Sequence, residues 1–181
     1  MNSLDLQISP KLSEMPPAKT LGLISDTHVP TRAKQIPKEV FTVFDKVDYI
    51  VHAGDFVDLS VIDELEQLAP VLAVYGNMDG SEIRGKLPKL NSLKIFNWKI
   101  GVMHDPGALF GVRKMCEIAR NNNFNVLVYG HTHNAHVRWE ETTLFINPGS
   151  PTNPIPPFIS KPTVALLTIT QKEITPKIIQ I

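Results

Sequence analysis

Leu21-Gly22-Leu23-Ile24-Ser25-Asp26-Thr27-His28 is an apolar run that ends abruptly in metal-ligand chemistry. Its first five residues read as a short buried strand. The Asp-x-His that closes it supplies one oxygen and one nitrogen, a spacing that suits a loop leaving a strand and turning around an ion. The same grammar recurs along the chain. Gly54-Asp55 follows YIVHA, Gly76-Asn77 follows VLAVY, His104 follows IGVM, and Gly130-His131-Thr132-His133 follows VLVY. Open α/β sheets bind ligands outside the carboxyl ends of their strands. The order Asp-x-His, Asp, Asn, His, His-x-His therefore predicts a cluster around metal, with donors enough for two ions.

Between these strands the apolar spacing switches to helical. Pro37 suits the first turn of a helix that places Val40, Phe41, Phe44 and Val47 on one face. Asp58 is a candidate N-cap for a second helix with the stripe Val61, Ile62, Leu65 and Leu68, closed by Pro70. To this point the pattern is βαβαβ, which right-handed crossovers turn into a parallel sheet. The second half is richer in strands. LKIFN and KIGVM predict an antiparallel hairpin, and residues 109–120 predict a helix aligning Val112, Met115, Cys116 and Ala119. VLVY, AHVRW, TLFIN, TVALLTIT and ITPKIIQI then read as strands. The expected class is α/β, an αββα four-layer sandwich of two mixed β-sheets flanked by helices. Residues 148–162, PGSPTNPIPPFISKP, form a proline-rich connection without regular structure.

At 181 residues the chain suits one domain with a sizeable core, expected over residues 20–181. Residues 1–19, with Pro10, Pro16 and Pro17, read as an extension outside that fold, disordered or packed on a neighbouring surface. Eighteen basic side chains balance 18 acidic ones, so no general attraction to nucleic acid or membrane is expected. No apolar run approaches the roughly 20 residues needed to cross a bilayer. The N-terminus lacks the charged and apolar segments of a secretory signal. A single cysteine, Cys116, rules out an intrachain disulfide and fits a reducing compartment. The expectation is a soluble, cytoplasmic protein. Oligomeric state stays open, and Ile155, Pro156, Pro157 and Phe158 are candidates for partner contact or self-association.

The donor set mixes oxygen and nitrogen without thiolate. That argues against a structural zinc site and towards Mn²⁺ first, with Zn²⁺, Fe, Ni²⁺ or Co²⁺ as alternatives. Two ions roughly 3.5–4 Å apart would clamp the attacking and leaving oxygens of an in-line displacement at phosphorus. Arg32 is a candidate for reaching a substrate phosphate through its planar fork. His52 reads as a packed, hydrogen-bonded residue beneath the site, His136 as a surface or strand-pairing residue, and Asn147-Pro148-Gly149 as a loop shaped to pack near the metals.

Taken in order, SDTH, GD, GN, a strand-terminal His and GHTH resemble the calcineurin-like metallophosphoesterase superfamily, across roughly residues 20 to 181. The short spacings and the ending INPGS resemble its small single-domain phosphodiesterase branch. That branch also contains the metallophosphoesterase-like subunit of retromer, to which DTHVPTRAKQIP is especially similar. The resemblance implies that Asp26, His28 and His133 hold a first metal and that Asp55 bridges both. Asn77, His104 and His131 would complete the second, and a hydroxide between the ions would attack a small phosphoester or nucleotide. Where larger members carry Gly-Asn-His, with the histidine protonating the leaving group, this chain has Met78. Asp79 is the neighbouring candidate for that proton. At the fourth motif His104-Asp105-Pro106 stands in place of His-Gly-His. A scaffold of the retromer-subunit type, retaining metal as a structural element, is the alternative. The intact Asp and Asn of the second and third motifs favour the enzyme.

Overall fold

Alternation along β1, Lys19–Ile24, decides where the sheets lie. Leu21 and Leu23 point to one face, while Gly22 and Ile24 point to the other. Both faces are buried, so the strand lies in the middle of a layered structure. The computed structural model describes residues 17–155 and 160–181. Most of the N-terminal extension, and Pro156, Pro157 and Phe158 of the proline-rich connection, fall outside those residues.

Among the described residues there are two five-stranded mixed sheets. In the first, β1 lies between β2, Tyr49–His52, and β9, Thr163–Ile169; β3, Val71–Ala73, and β10, Ile174–Gln180, form the edges. In the second, β6, Val126–Val128, is central between β5, Trp98–Met103, and β8, Thr143–Asn147; the edges are β4, Leu90–Ile95, and β7, His136–Glu140. Strands β1, β2 and β3 run parallel, as do β5, β6 and β8. The β4–β5 hairpin pairs Ile95 with Trp98, leaving Phe96 and Asn97 as its turn.

Three apolar clusters make the layers. Leu21, Leu23, Val51 and Leu167 meet Val102, Val126, Val128, Leu144 and Ile146 between the sheets. Val40 and Phe44 of α1, Lys38–Phe44, and Val61 and Leu65 of α2, Ser60–Glu66, cover Ile24 and Ile50 on the outer face of the first sheet. Met115 and Ala119 of α4, Val112–Asn122, cover Leu127 and Phe145 outside the second. The αββα class read from the alternation is the one observed. Asp58 accepts a hydrogen bond from the Ser60 N–H at 2.8 Å, satisfying a free donor at the start of α2.

Two elements differ from expectation. The helix expected over residues 109–120 is split into a 3-10 turn at Ala108–Phe110 and α4, because Gly111 takes φ +99° between them. A six-residue helix, α3, Ser81–Lys86, was not expected, since only Ile83 in it is buried and no apolar stripe marks it. None of the described helices is long and apolar enough to cross a membrane.

Candidate metal centre

The two parallel triplets deliver the candidate ligands to one edge of the sandwich. Asp26 and His28 follow β1, Asp55 follows β2 and Asn77 follows β3; His104 follows β5, and His131 and His133 follow β6. The loops are tied to one another at once: Asp26 N–H donates to Gly54 O, His28 N–H to Asp55 O, and Gly130 N–H to His104 O, all at 3.0 Å. Five of the seven, Asp26, His28, Asp55, His131 and His133, have positive φ, between 47° and 69°. Such backbone strain in non-glycine residues persists only where the surroundings over-determine it, and it concentrates at functional sites.

All seven side chains form one continuous cluster. His28 Nε2 lies 3.2 Å from His133 Nε2, which lies 3.3 Å from Asp26 Oδ1. Asp55 Oδ2 is 3.3 Å from His104 Nε2 and 3.9 Å from His28 Nε2. Asn77 Oδ1 is 2.9 Å from His104 Nε2 and 2.8 Å from His131 Nδ1. Two trios have donor atoms close enough to share an ion: Asp26, His28 and His133, and Asp26, Asp55 and His104. Asn77 and His131 sit at the more open mouth, while Asp26, His28 and Asp55 are buried.

This donor set fits divalent metal. Two imidazole nitrogens facing each other at 3.2 Å cannot both carry protons without repulsion, and they converge with a carboxylate on one point. The tautomers suit coordination. His133 Nδ1 donates to Asn153 O at 2.6 Å and His104 Nδ1 to Ala53 O at 2.8 Å, so each Nε2 is left bare towards the cluster. Burial keeps His28 neutral, its pKa pushed down to about 4, although Asp55 pulls the other way. Burial raises the Asp26 carboxyl, against the opposing pull of His104 and His133. Burial also works against charge on Asp55 and His104, but their mutual hydrogen bond outweighs it: Asp55 falls below and His104 rises above the usual range. Two buried carboxylates facing three histidines offer a compact set of oxygen and nitrogen donors into which a cation fits.

Around the cluster is a supporting shell that motifs alone do not display. His52 is fully buried, its pKa pushed by that burial to about 3, so the ring is neutral. Its Nδ1 accepts from Gly54 N–H at 3.1 Å and its Nε2 pairs with Thr27 Oγ1 at 3.2 Å, linking the first two ligand loops. Asp79 is buried and faces inward. Its oxygens accept the backbone N–H of Asp55 at 2.9 Å, Gly76 at 2.7 Å and Val57 at 2.8 Å. Ser150 Oγ donates to Asp26 O at 2.7 Å and Thr152 Oγ1 to Thr27 O at 2.8 Å, which clamps the first loop from the far end of the chain. Asn147 donates to Gly130 O at 2.9 Å. Arg32 is exposed, and its charge is felt by His28. His136 is exposed on β7, opposite Asn147 in the ladder.

Close backbone approach explains one glycine in the cluster. A Cβ on Gly130 would collide with Ser25 Oγ and lie 2.7 Å from Asp26 Oδ2. Gly130→Ala is therefore expected to displace Asp26 and weaken metal binding about tenfold or more, in line with losses from disturbed ligand shells. Metal titration monitored by calorimetry checks this. Gly80→Ala, where nothing lies within 4 Å of the added methyl, should bind as wild type.

Residues 20–172 match the model of the calcineurin-like phosphoesterase superfamily domain. A probable metallophosphoesterase of Methanothermobacter thermautotrophicus is 36% identical over 161 residues, 88% of this chain and 91% of that protein. A phosphodiesterase of Methanocaldococcus jannaschii is 36% identical over 139 residues, 71% of this chain and 82% of that protein. Among solved structures, Vps29 of Chaetomium thermophilum superposes with a TM-score of 0.77 at 22% identity, covering 90% of this chain and 88% of that one, a likeness of fold. With a matching domain over most of its length and five loops of candidate ligands gathered at one end of the sandwich, this chain belongs to the calcineurin-like phosphoesterase superfamily.

Proposed function

We propose that the chain is a binuclear metal-dependent phosphoesterase that hydrolyses phosphodiesters. The observation that carries this is the unbroken chain of contacts from His133 through His28, Asp55 and His104 to Asn77 and His131. Asp26, His28 and His133 would hold one ion, and Asn77, His104 and His131 the other, with Asp55 between. Mn²⁺ is the first candidate for the mixed oxygen and nitrogen donors, with Zn²⁺, Fe, Ni²⁺ and Co²⁺ as alternatives. When bound, the ions supply an activated water as nucleophile and neutralise charge on the phosphoryl oxygens.

The chain's own residues set the rest. Asn77 and His131 line the mouth through which a phosphoryl group enters, and Arg32 offers a further positive charge beside His28. Bonds from Ala53 O and Asn153 O hold the rings of His104 and His133 in place, so no reorganisation is needed during reaction. Met78 is 48% exposed and carries no acidic proton. Asp79 is turned into the backbone. Neither protonates a leaving group, which favours substrates whose leaving group departs as a stable anion.

The test uses the full chain loaded with Mn²⁺ against bis(p-nitrophenyl) phosphate and p-nitrophenyl phosphate, alongside His104→Ala and a chelated sample. Diester turnover is expected to fall about a hundredfold or more on chelation and to return with Mn²⁺. Stoichiometric metal without turnover of either ester would favour the scaffold alternative instead. That second reading draws on the exposed apolar side chains Leu109 and Phe110, the latter 88% exposed.

A further inference from the structure

A cleft of about 280 Å³ opens beside the metal centre, lined by Tyr75, Gly76, Asn77, Arg84, Lys89, His104 and Asp105. One wall, Asn77 and His104, belongs to the ligand cluster. The other carries two cations, and neither pairs with a carboxylate among the described residues. Arg84 is fixed: Nε donates to Asp79 O and Nη2 to Asn77 O, each at 2.8 Å, with its guanidinium 5.6 Å over the Tyr75 ring. Its Nη1 makes no hydrogen bond among the described residues. Lys89 is exposed at the rim. Asp105 is the one carboxylate of the lining, and it is engaged elsewhere: Oδ1 accepts from Gly107 N–H at 2.7 Å, and Oδ2 lies 4.0 Å from His131 Nε2.

We propose that this cleft receives a second phosphate of the substrate, and that the preferred substrates are phosphoanhydrides of the nucleoside diphosphate type. The proposal rests on the two-metal phosphoesterase reading and names its substrate class. Two facts meet in it. Neither Met78 nor Asp79, whose oxygens face backbone N–H groups, is placed to protonate a leaving group, which favours one that departs as an anion. Immediately beyond Asn77 the chain places a guanidinium held by backbone carbonyls and an exposed ammonium beside the path of that anion. In the reaction, water's oxygen bonds to the phosphorus at the metal centre and the bridging P–O bond breaks. The electron pair stays on the bridging oxygen of the departing phosphate, whose charge faces Arg84 and Lys89. Water contributes one hydroxyl to the attacked phosphorus and releases one proton to solvent. Aryl diesters react at the same centre and leave the cleft unused.

Lys89→Ala separates the two, because an exposed side chain without a partner among the described residues is removed without disturbing the fold. With Mn²⁺ bound, kcat/KM for ADP is expected to fall about tenfold or more, while that for bis(p-nitrophenyl) phosphate stays within about twofold. A second measurement needs no turnover. Acetylation of Lys89, followed by mass spectrometry, should slow about fivefold or more with millimolar α,β-methylene-ADP. Lys172, in the β9–β10 turn at the opposite end of the sheet, should be unaffected. An equal fall for both substrates, or an unprotected Lys89, overturns the proposal. If the wild type turns over neither substrate, the phosphoesterase reading fails, and the protection of Lys89 still decides the cleft.

Discussion

Asp55→Asn is expected to lower diester turnover about a thousandfold and to reduce bound metal to one ion per chain or fewer. The substitution keeps the shape of the side chain. Its Oδ1 still accepts the Met78 N–H, a bond of 2.7 Å in the wild type, so the loop keeps its anchor. What disappears is the charge that faces His104 at 3.3 Å and His28 at 3.9 Å, and the amide places N–H groups against those rings. If Asp55 joins two cations, its loss removes a ligand from both at once. A thousandfold is about 4 kcal/mol of transition-state stabilisation, the several kcal/mol expected of a Lewis-acid centre. Thermal unfolding in chelator separates this from misfolding. In the metal-free protein the hydrogen bond with His104 favours the Asp55 carboxylate more than burial opposes it, so the metal-free variant should melt somewhat below wild type while still unfolding cooperatively. The rise in melting temperature on adding Mn²⁺ should shrink or vanish. Wild-type metal content with more than a tenth of wild-type turnover would sink the two-ion reading.

Fold and chemistry were legible in the sequence to different depths. The strands announced themselves through short apolar runs, and the parallel course of the first three through right-handed crossovers, so a common end for Asp26, Asp55 and Asn77 followed from topology. The supporting shell did not follow. Ser150 and Thr152 clamp the first loop across more than 120 residues of chain, and nothing local in PGSPTN encodes that reach. For His52 the sequence suggests a packed, hydrogen-bonded residue beneath the site, but which two partners it takes depends on how two loops cross. Arg84 lies in a helix too short for periodicity to reveal, in a segment rich in charge. Its role comes from three carbonyls of the Asn77 loop that converge on it. Sequence identifies a residue's type, while the direction its side chain takes is settled by packing.

Asp79 shows that difference most sharply, and Asp79→Ala is expected to be the most destabilising single change around the site. As a residue type it is a candidate acid for the leaving group. In the fold its carboxylate accepts N–H groups from Asp55, Gly76 and Val57, joining the second and third ligand loops from beneath. Alanine leaves three donors without an acceptor in a region the side chain barely exposes, 2%. At about 1–3 kcal/mol for each unsatisfied buried group, partly relieved by entering water, the loss comes to roughly 3–6 kcal/mol. For a chain of this length that is a fall of roughly 10 °C or more in melting temperature. Turnover should fall with it, because Asp55 and Asn77 lose the floor that sets their spacing. Asp79→Asn discriminates between the two roles. It retains one acceptor oxygen but sets an amide N–H₂ against backbone donors, so a structural role predicts a melting temperature between wild type and alanine. Turnover would then drop similarly for good and poor leaving groups. A proton-donor role predicts an unchanged melting temperature and a loss that grows as the leaving group becomes more basic. Calorimetry in chelator, read beside a series of aryl diesters, distinguishes them, and the three N–H contacts commit the expectation to the first.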